Sequence, residues 1–315
     1  MLDFIKIIIL FTVPVVFSSL EAGELAGTVL NASRDSMPAP GIDVELLAVI
    51  GQQAPFTLDT TTTDSRGRFK LQLNQPASGG TVYASAQNQG VRYYSDALSP
   101  DESSGLTLFV YDTTHSAASL HILMHHVVVQ DLGKTVHIRE TRVFENDSNL
   151  TVLDVRSDTP VGPALFQFSV PKELMLFQPG ERLSDADVMY EKGRVYDKRI
   201  LPPGKSQLTY TYELNWKGNR TPVLTDIHPD TRSFGVFLAD THLQAISEHL
   251  QDRGDFQIGS HIYRRYSGTR AGDKTLLQFA VKREGVSAQS PWPAIIISVF
   301  FCIGAYLIVL RVKRK

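Results

Sequence analysis

Apolar residues recur at every second position through most of this chain, in runs of strand length bounded by Gly, Pro, Asn or Asp. Ile42, Val44 and Leu46 alternate with Asp43 and Glu45, and Phe69, Leu71 and Leu73 alternate with Arg68, Lys70 and Gln72. A period of two places one set on a buried sheet face and the other in solvent, a pattern no helix can use. Val82, Ala84 and Ala86 supply a third inward set after Gly79-Gly80. Between the Thr60 to Thr63 run and Phe69 stands Asp64-Ser65-Arg66-Gly67, whose glycine is expected in the left-handed conformation of a hairpin loop. No amphipathic helix is visible over 24–98, so residues 23–98 read as a small β-sandwich.

The polar, turn-rich Ser-Pro-Asp-Glu-Ser-Ser-Gly at 99–105 reads as a linker. Beyond it, segments 106–112, 120–130, 135–144, 150–155, 165–170 and 207–214 are again alternating and strand-length, which predicts a second sandwich over 106–216. Strand character resumes at 234–238, 256–263 and 275–281, so 217–286 is either a separate β-rich module or an extension of the second. The stretch 241–251 fits a helix with His242, Ala245, Ile246 and His249 on one side. Weak caps and β neighbours favour strands.

Part of the first module carries a resemblance. Gly27-Thr28-Val29, Pro40-Gly41-Ile42-Asp43-Val44-Glu45-Leu46, Thr63-Asp64-Ser65-Arg66-Gly67-Arg68-Phe69 and Tyr83-Ala84-Ser85-Ala86 resemble the carboxypeptidase regulatory-like, or transthyretin-like, domain in register. The resemblance spans about a quarter of the chain. It implies a seven-stranded sandwich that accompanies other domains, a support or recognition module and not a peptidase. Less specifically, Val110-Tyr111-Asp112-Thr113-Thr114, His125-His126, Leu201-Pro202-Pro203-Gly204 and Leu208-Thr209-Tyr210-Thr211-Tyr212 look like the outer region of bacterial membrane proteins that follow such a module. That likeness implies a β-rich exterior.

Both ends of the chain address a membrane. Residues 294–310 hold no charge, Trp292 precedes them, and Arg311, Lys313, Arg314 and Lys315 follow. Seventeen helical residues rise about 26 Å, the low end of what spans a hydrocarbon core, and the basic cluster is expected in the cytoplasm. At the other end, Lys6, the apolar run 7–17 and the small residues Ser18, Ser19 and Ala22 read as a signal peptide, 1–22. The expected arrangement is thus a signal peptide, tandem β-sandwich modules outside the cytoplasm, a juxtamembrane linker at 287–293, one C-terminal transmembrane helix at 294–310 and a cytoplasmic tail at 311–315. The mainly-β body would lie in the periplasm or the extracellular space, anchored in a bacterial cytoplasmic membrane.

Composition narrows the chemistry. Removing the four tail cations from 31 basic residues leaves 27 against 33 acidic ones, which gives no basic footprint for nucleic acid. The single cysteine, Cys302, lies in the anchor, so the outer modules have no disulfide, thiolate nucleophile or Cys-ligated zinc. That cysteine usage fits a bacterial envelope better than an animal cell surface. Asn31, Asn146, Asn149 and Asn219 each open an Asn-x-Ser/Thr sequon, which pulls the other way, although abundant Ser and Thr generate such triplets by chance.

Five of the nine histidines fall between His115 and His137. On a regular strand His121 and His125 share a face and His126 takes the other, so His115, His121, His125 and His137 are the candidates for a metal site. The bland reading is strand histidines bonded to neighbours. His137 and Glu140 match His-x-x-Glu, but i and i+3 on a strand diverge, and no peptidase domain surrounds them. There is no Gly-x-Ser-x-Gly and no phosphate-cradling loop. No complete catalytic constellation or cofactor motif emerges, and the chain does not read as an enzyme. Tyr93, Tyr94, Arg264 and Arg265 are the residues best suited by type to an interface, though tyrosines on strands more often pack in the core. The expected function is a membrane-anchored binding or scaffolding protein presenting its sandwiches to an envelope protein or polymer. The alternative is a metal-binding or hydrolytic envelope protein built on the histidines.

Overall fold

A computed structural model describes residues 23–51, 53–73, 80–98, 104–181, 183–259, 261–268 and 276–283. The protein is mainly β: among the described residues there is no α-helix, and none is long and apolar enough to cross a membrane. The expected signal segment and membrane anchor lie outside the described residues. The chain divides into two compact units, Met1–Thr114 with Ser148–Thr151, and His115–Asp147 with Val152–Lys315.

The first unit contains β1 (Gly23–Asn31), β2 (Met37–Pro38), β3 (Asp43–Ile50), β4 (Phe56–Thr62), β5 (Arg68–Leu73), β6 (Gly80–Asn88), β7 (Val91–Tyr94), β8 (Ser104–Val110) and the short β9 (Thr113–Thr114). One sheet places β1 beside antiparallel β2 and β5 and parallel β8; the other runs β4-β3-β6-β7. Their contacts through β4 with β5 and β6 with β8 make a sandwich, with Leu25, Val29, Phe69, Leu71, Leu108, Val44, Leu46 and Ala84 buried. The period-two reading of β3 and β5 therefore translates directly into core.

Two expectations change here. Gly67 does take the left-handed conformation, at φ +70°, but β4 and β5 belong to different sheets, so the turn arches across the sandwich instead of closing a hairpin. The Asp64 carboxylate accepts the Arg66 and Arg68 amides, and Gly67 O accepts from Val29 N, which fixes the arch to β1. In addition, β8 was expected to open the second sandwich, yet its Leu108 and Val110 fill the first core. Of the expected linker 99–105, Ser104 and Gly105 already belong to β8, and the division comes after Thr114.

The second unit holds β10 (Leu120–Asp131), β11 (Thr135–Asn146), β13 (Phe166–Ser169), β14 (Met175–Pro179), β15 (Val188–Glu191), β16 (Arg194–Asp197), β17 (Gly204–Asn215), β18 (Arg220–Asp226), β19 (Phe234–Leu238), β20 (Leu243–Ile246), β21 (Leu250–Ile258), β22 (His261–Gly268) and β23 (Leu276–Arg283), while β12 (Thr151–Val152) straddles the division. A seven-stranded sheet runs β14-β17-β11-β10-β19-β22-β21, and two three-stranded sheets, β13-β16-β15 and β18-β23-β20, share its core. Ile122, Val127, Val129, Ile138, Leu208 and Tyr212 from the large sheet pack with Phe168, Val195, Val223 and Phe279 from the small ones. Strands β18, β19, β20, β22 and β23 thus contribute to the same core as the strands of 120–215, and 243–246 and 250–258 are strands, not a helix.

Candidate functional site

The inward face of β11 is Val136, Ile138, Glu140, Arg142 and Phe144, all buried. Two opposite charges thus stand in the middle of an apolar run. Their neighbours complete the group: Glu140 lies opposite Val127 on β10 and Tyr210 on β17, and Arg142 lies opposite His125 and Leu208. Side-chain exposure is 0% for Glu140 and 1% for both Arg142 and His125.

Glu140 Oε2 accepts from Thr225 Oγ1 at 2.8 Å, Arg142 Nη2 at 2.9 Å, His125 Nε2 at 3.0 Å and Tyr210 OH at 3.2 Å. Oε1 accepts from Tyr212 OH at 3.0 Å. Arg142 Nη1 donates to Tyr210 OH at 2.7 Å, and its guanidinium carbon stands 3.9 Å above the Phe168 ring centre. The His125 ring meets Phe234 edge to face at 5.0 Å. Five side chains from four strands therefore converge on one carboxylate, and the Phe168 and Phe234 rings flank two of them.

Electrostatics sort the protons. Burial alone would raise the Glu140 carboxyl, but the Arg142 charge and the hydrogen bonds from His125 and Thr225 outweigh it and hold it down at about 2. Burial, reinforced by the Arg142 charge, lowers His125 to about 4 despite the Glu140 contact. At neutral pH the group is a Glu–Arg ion pair with a neutral imidazole. Since Nε2 faces an acceptor, it carries the proton. Burial also drives the Tyr210 and Tyr212 phenols well up, so both remain donors. His125 Nδ1 and Arg142 Nε are buried with no hydrogen-bond partner.

This composition resembles an acid–base centre, but the geometry serves packing. Both carboxylate oxygens are occupied, and solvent reaches neither the carboxylate nor the guanidinium. A general base must come within hydrogen-bond reach of a substrate proton, which this enclosure prevents. Breaking such a pair exposes an uncompensated buried charge, whereas the correct register satisfies it, so the group pins β11 against β10 and β17.

The expected metal site does not assemble. The register shifts between Ile122 and Met124, which skips Leu123 and reverses the alternation, so His121 and His125 occupy opposite faces. His115 is exposed and bonded through Nδ1 to Asp154 O at 2.9 Å; His121 Nε2 lies 3.1 Å from Asp147 Oδ2. His137 lies across from Gln130 and Glu213, on the face of β11 away from Glu140, where burial lowers it. Among the described residues no three His, Cys, Asp or Glu side chains converge as metal donors.

The interface candidates also separate. Tyr93 is buried, with its OH bonded to Tyr111 O at 3.1 Å and Thr151 Oγ1 at 2.8 Å, because β7 turns it into the core. Its neighbour Tyr94 is 57% exposed and lies edge-on to Tyr83 at 5.6 Å. Arg264 is tied to Asp252 at 2.6 Å, while Arg265 is exposed on β22. Of the sequons, Asn31 and Asn146 are buried, and their amide nitrogens donate to Asp112 and Leu201 O.

A second polar knot closes the far end of β10. Asp131 accepts from Trp216 Nε1 at 3.1 Å and the Gly133 amide at 2.8 Å, meets His242 Nε2 at 2.8 Å, and pairs with Arg283, which stacks on Trp216 at 4.3 Å. Arg142, Thr225, Asp131 and Arg283 were not singled out from the sequence. For the first of these a signal exists, since Glu140 and Arg142 share the parity of Val136, Ile138 and Phe144.

No protein-family model matches the chain, and no curated protein is significantly similar to it.

Proposed function

We propose that the chain is a membrane-anchored, extracytoplasmic binding or scaffolding protein, which presents rigid β-sandwich surfaces to an envelope protein or polymer. One observation carries this reading: among the described residues, the constellation richest in chemically competent side chains is sealed inside the second unit, with the Glu140 carboxylate unexposed and both its oxygens bonded. Catalytic groups must meet a substrate; these meet only each other. The charge-free run at 294–310 with its basic tail supports a body held outside a bacterial cytoplasmic membrane, and the resemblance over 27–86 supports a regulatory-like support module in the first unit.

Cross-linking in intact membranes, followed by capture of the tagged full chain, tests the role. The expected result is a partner enriched over a control that carries the anchor alone. No enrichment over that control contradicts it.

A further inference from the structure

In the seven-stranded sheet every joint is antiparallel except one. β10 and β19 run parallel, with His125 to Val129 facing Phe234 to Leu238. This joint is also short beside the β10–β11 ladder, which runs from Leu120 to Asp131, and parallel pairing is the slightly weaker kind. It carries β22 and β21 with it, since those strands reach the rest of the sheet only through β19.

Consecutive histidines of β10 guard the two faces of this joint. On the inner face the His125 ring lies edge-on to Phe234, the first residue of β19. On the outer face His126 meets Phe237 edge-on at 4.8 Å. Gly235 lies between them. A Cβ there would fall 2.9 Å from the Phe237 ring, so the bare glycine lets Phe237 lie across the strand. Behind Phe237, Val128 and Tyr263 form a small cluster on that face.

We propose that the β10–β19 joint is an acid-released clasp: protonation of His125 and His126 parts β19, β22 and β21 from the remainder of the sheet. The surroundings of both rings oppose an imidazolium. His125 faces Arg142 and Glu140 on β11, and that carboxylate is already held by Arg142, Thr225, Tyr210 and Tyr212. From β19 it meets only the Phe234 ring among these aromatic and charged contacts. His126 lies opposite Thr141 on β11 and Gly235 on β19, and the charge facing it is Arg265 on β22, which repels a proton. A charge on His126 also opposes one on His125.

The direction follows from linkage. Burial, with the neighbouring arginines, lowers both histidines from about 6.5 to about 4, so the closed joint is fully favoured above the free value and loses ground as pH falls below it. At pH 5.5 a histidine freed by opening gains about tenfold in its favour over pH 7.5, and two give roughly a hundredfold.

Hydrogen exchange with mass spectrometry on the full-length protein in detergent micelles reads this directly. Labelling times at pH 7.5 and 5.5 are scaled for intrinsic exchange. The amides of Arg232, His125 and Ala239 bridge the joint, to Ile122 O, Ser233 O and Val129 O. Segments holding these amides are expected to lose at least tenfold in protection at pH 5.5, while the β11–β17 ladder keeps its own. His126→Phe should cut the response from about a hundredfold to about the tenfold that His125 alone supplies. Arg265→Glu, an exposed change that does not threaten folding, should weaken it severalfold by favouring the His126 proton in the closed form. Unchanged protection across the joint at pH 5.5, loss spread equally over the whole sheet, or a local loss unaltered in both variants would overturn the clasp.

Discussion

Replacing Glu140 by alanine removes the acceptor of five hydrogen bonds and leaves the Arg142 guanidinium, 1% exposed, without its counter-charge. Two lines of reasoning give the cost. Removing one partner of a buried ion pair typically costs about 3–5 kcal/mol. Independently, the carboxyl is held at about 2 instead of 4.5, and a fully buried group shifted that far contributes about 3 kcal/mol at neutral pH. In a protein ending at Ser290, Trp216 is the only tryptophan and lies in the second unit, so its fluorescence in urea follows that unit alone. With a slope of about 2 kcal/mol per molar, the midpoint should fall by roughly 1.5–2.5 M. The double variant Glu140→Gln/Arg142→Met discards both charges and should regain most of that loss. Acidification supplies a further check with a definite sign. Because the folded carboxyl is depressed, its contribution is present above about 4.5 and is lost as pH falls through about 2, so this part of the acid slope should vanish in Glu140→Gln. A midpoint change under about 0.5 M in the alanine variant, or additive losses in the double variant, would refute the reasoning.

Other outcomes follow from the same geometry. Tyr93→Phe should destabilise the first unit by about 1 kcal/mol, whereas Tyr94→Ala should stay within about 0.5 kcal/mol; calorimetry of that unit reverses the assignment if the order is inverted. Gly27→Ala would put a Cβ 2.5 Å from Leu106 O and the Phe69 ring, costing about 1–3 kcal/mol in the same assay, and a neutral result would show that β8 does not lie there. Purified outer portion should hold less than about 0.2 equivalents of zinc by elemental analysis, and a stoichiometric value would revive a histidine site.

The β class was legible because period-two apolar spacing is itself the mechanism by which a strand buries one face, as β3, β5 and β11 show. Partner choice was not. The Asp64–Gly67 turn looks the same locally whether it closes a hairpin or arches between sheets, and only the long-range ladders with β1 and β3 decide. The histidine pairing failed for a different reason: one skipped residue, Leu123, inverts the parity of everything after it, and an apolar Leu-Met step carries no sign of a bulge. Glu140 and Arg142 stood in plain view on an apolar parity, but their meaning depends on Thr225 and Tyr212, which lie 72 to 85 residues further along the chain from their partners.

The central claim is that the sealed Glu140 centre is structural and that the chain acts through its outer surfaces. Its most direct test compares the membrane partners captured by the wild-type full chain and by Glu140→Gln/Arg142→Met, after urea unfolding has confirmed that the variant is folded. The account predicts the same partners in the same yield. A folded variant that loses them would contradict it, because the buried charges would then be part of the function itself.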